Sequence, residues 1–329
     1  MDSTKKASLL EAISRQRVLV IGDVILDHYI WGDVDRISPE APVPVVEVER
    51  ESDRLGGAAN VALNLAALGV RTSLLGRFGD DSFAERLTGL VSDSGIQLVD
   101  TVPFSAAGTI VKTRVVARHQ QLCRLDREGH GLEYALGREV WEEVLPPLVA
   151  EHGGVLVSDY AKGLIDADFL DVLRSVCRAQ AKPVFIDPKP IPERDLSQFE
   201  LLTPNRGEAL RMSGLRACLR QPFPIEEVVR RIHERFGPRY LVVTLGAEGM
   251  MFAENGKIGD VLPTFAREVY DVSGAGDTVI ALLSSALLAG ASLSEAVMLA
   301  NTAAGVVVGK LGTACASAEE ILIAPEPPC

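Results

Sequence analysis

The sequence predicts an α/β fold: a doubly wound, mostly parallel sheet flanked by helices, with a small β-sheet set beside it. Three observations carry this. Short apolar or β-branched runs alternate with helix-length segments over most of the 329 residues. Those runs lack polar alternation, as strands buried on both faces should. Two stretches, about 28–50 and 103–127, break the rhythm and hold alternating β-branched segments such as Thr109–Val116.

Val18–Ile21 reads as a buried strand that delivers Asp23 at its C-terminal end. Val43–Val48, among Pro39, Pro42 and Pro44, reads as an edge strand, where a missing backbone donor is tolerated. Gly56–Gly57 reads as a turn opening a small-residue helix that closes at Gly69. Strands are then expected at Thr72–Leu75, Gly154–Ser158, Pro183–Ile186, Gln198–Leu202 and Tyr240–Thr244. Helices are expected at Ser82–Ser94, Ala167–Gln180, Ile225–Phe236, Ala275–Ala289 and Ser294–Leu311. The two exceptional stretches should form a separate antiparallel sheet that projects as a lid. No repeat or long linker divides the chain, so residues 1–329 are read as one domain.

Composition narrows the function. A hydrophobic content of 47% and a charged content of 24% describe an ordinary globular protein. The net charge of −12 argues against nucleic-acid or anionic-membrane partners, so a phosphate ligand must meet local cations. Five widely spaced cysteines with no C-x-x-C pair fit reduced thiols in the cytoplasm. The first 17 residues lack a signal-peptide core, and no apolar window is long enough to span a bilayer.

The most informative motif is Asp271-Val-Ser-Gly-Ala-Gly-Asp277 before an apolar helix. Gly274, Ala275 and Gly276 would leave backbone N–H groups at the positive end of the helix dipole. Asp277 would repel a resting phosphate, which makes sense if it takes a proton from an attacking hydroxyl while the amides hold the developing charge. Other segments supply partners. Gly56-Gly57-Ala-Ala-Asn60, with Asp23 and Asp27, is either a plain glycine turn or one wall of a polyol pocket. Three strand ends in succession carry polar groups: Asp159 and Lys162, then Asp187 and Lys189, then Asn205 and Glu208. Such groups suit a hydrated Mg²⁺ bridging nucleotide phosphates. Thr244 and Gly246 end the next strand against the same ligand. Lys112, Arg114 and Arg118, with Arg124 nearby, are either a charged edge strand or the seat of an anionic substrate, sharing one face of the small sheet. A P-loop is excluded at Gly305–Leu311 by spacing, and a dinucleotide fingerprint at Gly274–Gly276 by its missing third glycine.

These residues resemble the ribokinase-like (PfkB) carbohydrate kinases. Gly56–Asn60 with Leu68-Gly69 is similar to their N-terminal signature and Asp271–Asp277 to their C-terminal one, with Asp187-Pro-Lys189 and Thr203-Pro-Asn205 in order between. Within that family, Arg36–Val45, Gln120–Asp126, Ser158–Gly163 and Val307–Gly312 resemble the heptose 7-phosphate kinases of ADP-heptose synthesis for lipopolysaccharide. The resemblance implies ATP with Mg²⁺, a phosphorylated sugar acceptor, and a stand-alone kinase that leaves adenylylation to another protein. It implies Asp277 as the base, Asp23, Gly56, Gly57 and Asn60 on the sugar, and Asn205 and Glu208 acting on Mg²⁺ through water. Thr244, Gly246 and Asn301 would line the ATP site. Asp271, Ser273, Gly312 and Ser317 match positions where relatives bind potassium, with Ser273 in place of the usual threonine. A homodimer through the lids is also implied. Two rival readings stay open: another sugar or nucleoside kinase of this family, and a non-catalytic binding protein on the same fold.

Overall fold

The computed structural model describes every residue except 119, 192–193, 217–221, 265–271, 311, 313 and 325–329. The first seven strands are β1 (Arg17–Gly22), β2 (Val24–Ile37), β3 (Pro44–Gly57), β4 (Arg71–Leu75), β5 (Gln97–Leu98), β6 (Ile110–Ala117) and β7 (Gln120–Arg127). Then come β8 (Gly154–Ser158), β9 (Val184–Asp187), β10 (Leu201–Leu202), β11 (Tyr240–Thr244), β12 (Met250–Glu254) and β13 (Lys257–Leu262). The early helices are α1 (Ser3–Ser14), α2 (Ala58–Ala67), α3 (Ser82–Asp93), α4 (Arg138–Glu151) and α5 (Ala167–Ala179). The later ones are α6 (Arg206–Met212), α7 (Ile225–Phe236), α8 (Ala275–Leu288), α9 (Leu293–Val308) and α10 (Ala318–Ile323).

The large sheet has the order β13-β12-β11-β10-β9-β8-β1-β4-β5. Its pairings are parallel except at one edge, where β11, β12 and β13 run antiparallel. Successive strand residues point to opposite faces, and both faces are covered. Val18 and Val20 of β1 enter the core shared with α2, α8 and α9, whereas Leu19 and Ile21 enter the core shared with α4, α5 and α7. Small residues at Ala58, Ala59, Ala62, Ala281, Ala286, Ala300 and Ala303, all fully buried, let α2, α8 and α9 pack closely. Because these strands are parallel, the residues after β1, β8, β9, β10 and β11 gather along one edge of the sheet.

The small sheet departs from expectation in three ways. It has the order β3-β2-β6-β7 and is mixed, because β2 and β6 pair in parallel. It starts at Val24, immediately after Asp23, while residues 103–109 are loop. Gly56 and Gly57 are its last β3 residues, opposite Ile25 and Val24, and do not form a turn. Glycine is needed at 56 because a Cβ there would lie 2.7 Å from Asp27 Oδ2. Among the described residues, no helix is long and apolar enough to cross a membrane.

Candidate active site

The C-terminal edge of the large sheet encloses a cavity of about 150 Å³. Its walls hold Asp187, Lys189, Asn205, Glu208, Thr244, Gly274, Gly276 and Asp277, all singled out in the sequence, together with Tyr160, Thr203 and Val279.

α8 begins at Gly274, whose φ of 82° is left-handed and suits glycine. Ala275 and Gly276 follow in the first turn, and a Cβ on Gly276 would meet nothing within 4 Å, so the helix start faces open space. Asp277 is 3% exposed, yet each of its oxygens has a donor. Asn60 Nδ2 donates to Oδ2 at 2.7 Å and the Tyr160 hydroxyl to Oδ1 at 2.7 Å. Asn60 is itself held in α2 through Asn64, which donates to its carbonyl and accepts from Thr278. Burial raises the Asp277 carboxyl to about 6, and the two hydrogen bonds oppose the rise. A carboxylate near neutrality in a cleft is suited to general-base work.

On the neighbouring strand ends, Lys189 Nζ meets Glu208 Oε1 at 2.5 Å. The other Glu208 oxygen accepts from Asn205 N–H at 2.8 Å, while Asn205 Oδ1 accepts from Glu208 N–H at 3.0 Å, a capping box that starts α6. Thr203 Oγ1 donates to Asp187 Oδ1 at 3.3 Å. Desolvation and the charges of Glu208 and Asp277 push the Asp187 carboxyl up to about 8, against the pull of Lys189 and the Thr203 hydrogen bond. Thr244 pairs with Asn205 across the β11 end, and Gly246 follows in a short 3₁₀ turn. Asn301, buried in α9, donates to the Pro263 carbonyl at 2.8 Å.

Asp23 and Asp159 act below the cavity. Asp23 accepts three backbone N–H groups, from Tyr160 (2.9 Å), Lys162 (3.0 Å) and Leu164 (3.4 Å), and so ties down the segment after β8. Burial still raises its carboxyl. Asp159 accepts from Ala161 N–H and Lys189 N–H and pairs with Arg194; burial lifts its carboxyl to about 6 against that pairing.

The cations of the small sheet are mostly committed. Arg114 Nη1 meets Asp27 at 2.6 Å and Arg124 meets Asp126 at 2.7 Å, while Lys162, in the segment after β8, pairs with Glu128 at the end of the small sheet. Arg118 does not share the face of Lys112 and Arg114. It sits past the end of β6 with φ 48° and pairs with Asp33 and Asp35, because the β6–β7 turn ends the strand alternation at Ala117. Lys112 points the other way, its Nζ 5.3 Å from the centre of the Tyr160 ring, and burial lowers its pKa.

Of the residues matched to a potassium site, Asp271 lies outside the described residues. Ser317 spends its hydroxyl and N–H on a capping box with Glu320 at α10; Ser273 precedes α8 and Gly312 precedes α10. Tyr160 and Arg194 were given no role from the sequence, and Thr203 stood there only as part of the Thr203-Pro-Asn205 landmark. The signal for the first was an aromatic residue between Asp159 and Lys162 directly after a buried strand.

The model of the pfkB family carbohydrate kinases matches residues 15–320. The bifunctional protein HldE of Magnetococcus marinus is 43% identical over 317 residues, covering 94% of this chain and 64% of that protein. The chain thus spans less than two thirds of that relative. The D-beta-D-heptose 7-phosphate kinase of Bordetella bronchiseptica is 41% identical over 319 residues, covering 94% of this chain and 96% of that protein. Among solved structures, the Arabidopsis thaliana ribokinase complexed with ribose and ATP superposes with a TM-score of 0.71 at 20% identity, covering 93% of this chain and 97% of that one. With a nine-stranded, mostly parallel sheet, a four-stranded companion sheet and this cavity between its strand ends and α8, the chain belongs to the pfkB family of carbohydrate kinases and has their ribokinase-like fold.

Proposed function

We propose that this sugar kinase transfers the γ-phosphoryl group of ATP to the anomeric hydroxyl of D-glycero-β-D-manno-heptose 7-phosphate, giving the 1,7-bisphosphate. The observation that carries the chemistry is the buried Asp277 carboxylate in the first turn of α8, beside Gly276, where a Cβ would meet nothing within 4 Å. The acceptor oxygen attacks the γ-phosphorus, its proton passes to Asp277, and ADP departs with the bridging oxygen and its electron pair. The N–H groups at Gly274 and Gly276 would stabilise the charge on the transferring group, joined by that of Ala275 once it releases the Val272 carbonyl, to which it donates at 3.3 Å. Thr244, Gly246 and Asn301 border the nucleotide side. The 41%-identical relative, matched over nearly its whole length, supports the heptose 7-phosphate acceptor.

Magnesium fits the residues present. Asp187 and Glu208 set two carboxylates near one ammonium, and the Asp187 carboxyl is raised first by burial and then by the charge of Glu208. Asn205, Glu208 and Asp187 would hold the ion through water, since the oxygens of Asn205 and Glu208 are already engaged. Bound there, it would neutralise charge on the nucleotide phosphates. Of the potassium residues, Asp271 lies outside the described residues and the Ser317 hydroxyl oxygen accepts from the Glu320 N–H, and no step is routed through that ion.

On the acceptor side, Lys112, Arg114, Arg124 and Lys162 would receive the 7-phosphate by exchanging their present partners for it, while Asp23, Asp27, Gly56, Gly57 and Asn60 shape the sugar site. The small sheet would close as a lid that excludes water. Its exposed Ile37, Val43, Val48, Leu122 and Leu125 suit pairing with the lid of a second copy, in a cytoplasmic homodimer, checked by light scattering. The substrate is tested by ADP release with heptose 7-phosphate, fructose 6-phosphate and ribose. Turnover is expected with the heptose phosphate; preference for either other sugar would reassign the acceptor.

A further inference from the structure

Tyr160 occupies the junction of the site. Its backbone N–H is fixed by Asp23, and its ring lies between two ammonium groups, Lys112 Nζ at 5.3 Å from the small sheet and Lys189 Nζ at 5.5 Å from the nucleotide side. Its hydroxyl is 2.7 Å from Asp277 Oδ1, while Asn60 takes Oδ2. Tyrosine and asparagine thus hold one carboxylate oxygen each, from two different elements. A carboxylate has about four acceptor sites, so each oxygen keeps one free toward the cavity.

We propose that Tyr160 is a positioning residue for proton transfer: its hydroxyl aims Asp277 Oδ1 at the acceptor hydroxyl and favours the ionised carboxylate. The contact stands on geometry; its meaning for catalysis rests on the kinase reading above.

Burial alone would leave Asp277 protonated over much of the working range, and its surroundings divide. The charge of Asp27 pushes the carboxyl further up, and Asp187 faces it as a second carboxylate. Lys189 pulls it down, as do the bonds from Asn60 and Tyr160. Tyr160 is a dependable donor, because burial and the charges of Asp277 and Asp187 hold its own pKa well above the ordinary value. Removing the hydroxyl leaves Asn60 as the only side-chain hydrogen-bond donor to the carboxylate among the described residues, so the pKa of Asp277 rises and activity is lost from the acid side.

The test is Tyr160→Phe, which keeps the ring between Lys112 and Lys189. Two readouts are taken from about pH 5 to about pH 9: steady-state kinetics, and the ¹³C carboxyl shift of Asp277 in aspartate-labelled protein, assigned by difference from Asp277→Asn. Both midpoints should move up by about one pH unit. kcat should then fall about tenfold on the acid side and stay within about threefold near pH 9, with both KM values within about threefold. An unmoved carboxyl midpoint overturns the proposal, whatever happens to kcat, since a packing role would change stability without moving it. A wild-type protein inert toward the heptose phosphate sinks the kinase reading instead, and the carboxyl titration then decides the role of Tyr160 alone.

Discussion

At the strand ends of the large sheet and the start of α8, Asp23, Asp159, Asp187 and Asp277 are held away from bulk water, and burial raises every one of their carboxyls. In the small sheet and the turn beside it, Asp33 and Asp126 are bonded by Arg118 and Arg124, and those bonds hold their carboxyls below the usual range. The same residue type therefore meets opposite treatment in the two regions. Charge that burial disfavours costs stability and is retained where it does chemistry. Charge paired in solvent costs little and does little by itself. The small sheet is accordingly a surface of exchangeable partners, and the large sheet a fixed arrangement of poised groups.

The sharpest way to break this contrast is Asp277→Asn. It should lower kcat by about a thousandfold while ATP still binds, as measured by steady-state kinetics and calorimetry. Near-normal turnover would show that the buried carboxylate is not the base. The next largest effect falls on the acceptor side: Lys112→Ala should raise KM for the sugar phosphate about thirtyfold and leave KM for ATP within about threefold. Equal changes in both would mean that the lysine acts through the Tyr160 ring and not on the acceptor.

A smaller effect concerns stability. The folded-state pKa of Asp277, about 6, lies above its ordinary value of 3.8, so the ionised form opposes folding. That cost is absent below the ordinary pKa and grows as pH rises through the folded one. Asp277→Asn should therefore melt about 3 °C higher than wild type near pH 8, with the gap closing near pH 4. A variant less stable at both pH values would contradict the burial argument. The smallest effect is expected at Arg118→Ala, where an exposed pairing is lost: stability should change by less than about 0.5 kcal/mol in denaturant titration. A marked rise in KM for the sugar phosphate would instead restore Arg118 to the acceptor site.

Much of this was legible in the sequence because parallel strands share an edge. Once Pro183–Ile186, Gln198–Leu202 and Tyr240–Thr244 read as buried strands, whatever stood at their ends had to assemble, and Asp187, Asn205, Glu208 and Thr244 do line one cavity. The helix start at Gly274–Asp277 was legible because a Gly-Ala-Gly turn and a first-turn carboxylate stand directly before an apolar run. Pairing between distant segments was not. Nothing local tells β2 to lie parallel to β6, nor β3 to run on through Gly56 and Gly57. There the pairing with β2 sets the path, and glycine is required for close approach, since a Cβ on Gly57 would lie 2.3 Å from the Asp23 carbonyl oxygen. Arg118 misled because alternation was extended one residue past the end of the strand. Tyr160 was hidden for another reason: its partner Asp277 is remote in sequence, and only the fold brings the two hydroxyl-distance apart.

The most direct measurement is ³¹P NMR of the purified protein with Mg·ATP and D-glycero-β-D-manno-heptose 7-phosphate. ADP should appear together with a new phosphate signal coupled to the anomeric proton, and neither should appear when the sugar is omitted. Intact sugar phosphate after prolonged incubation, with ATP shown to bind, would contradict the kinase reading.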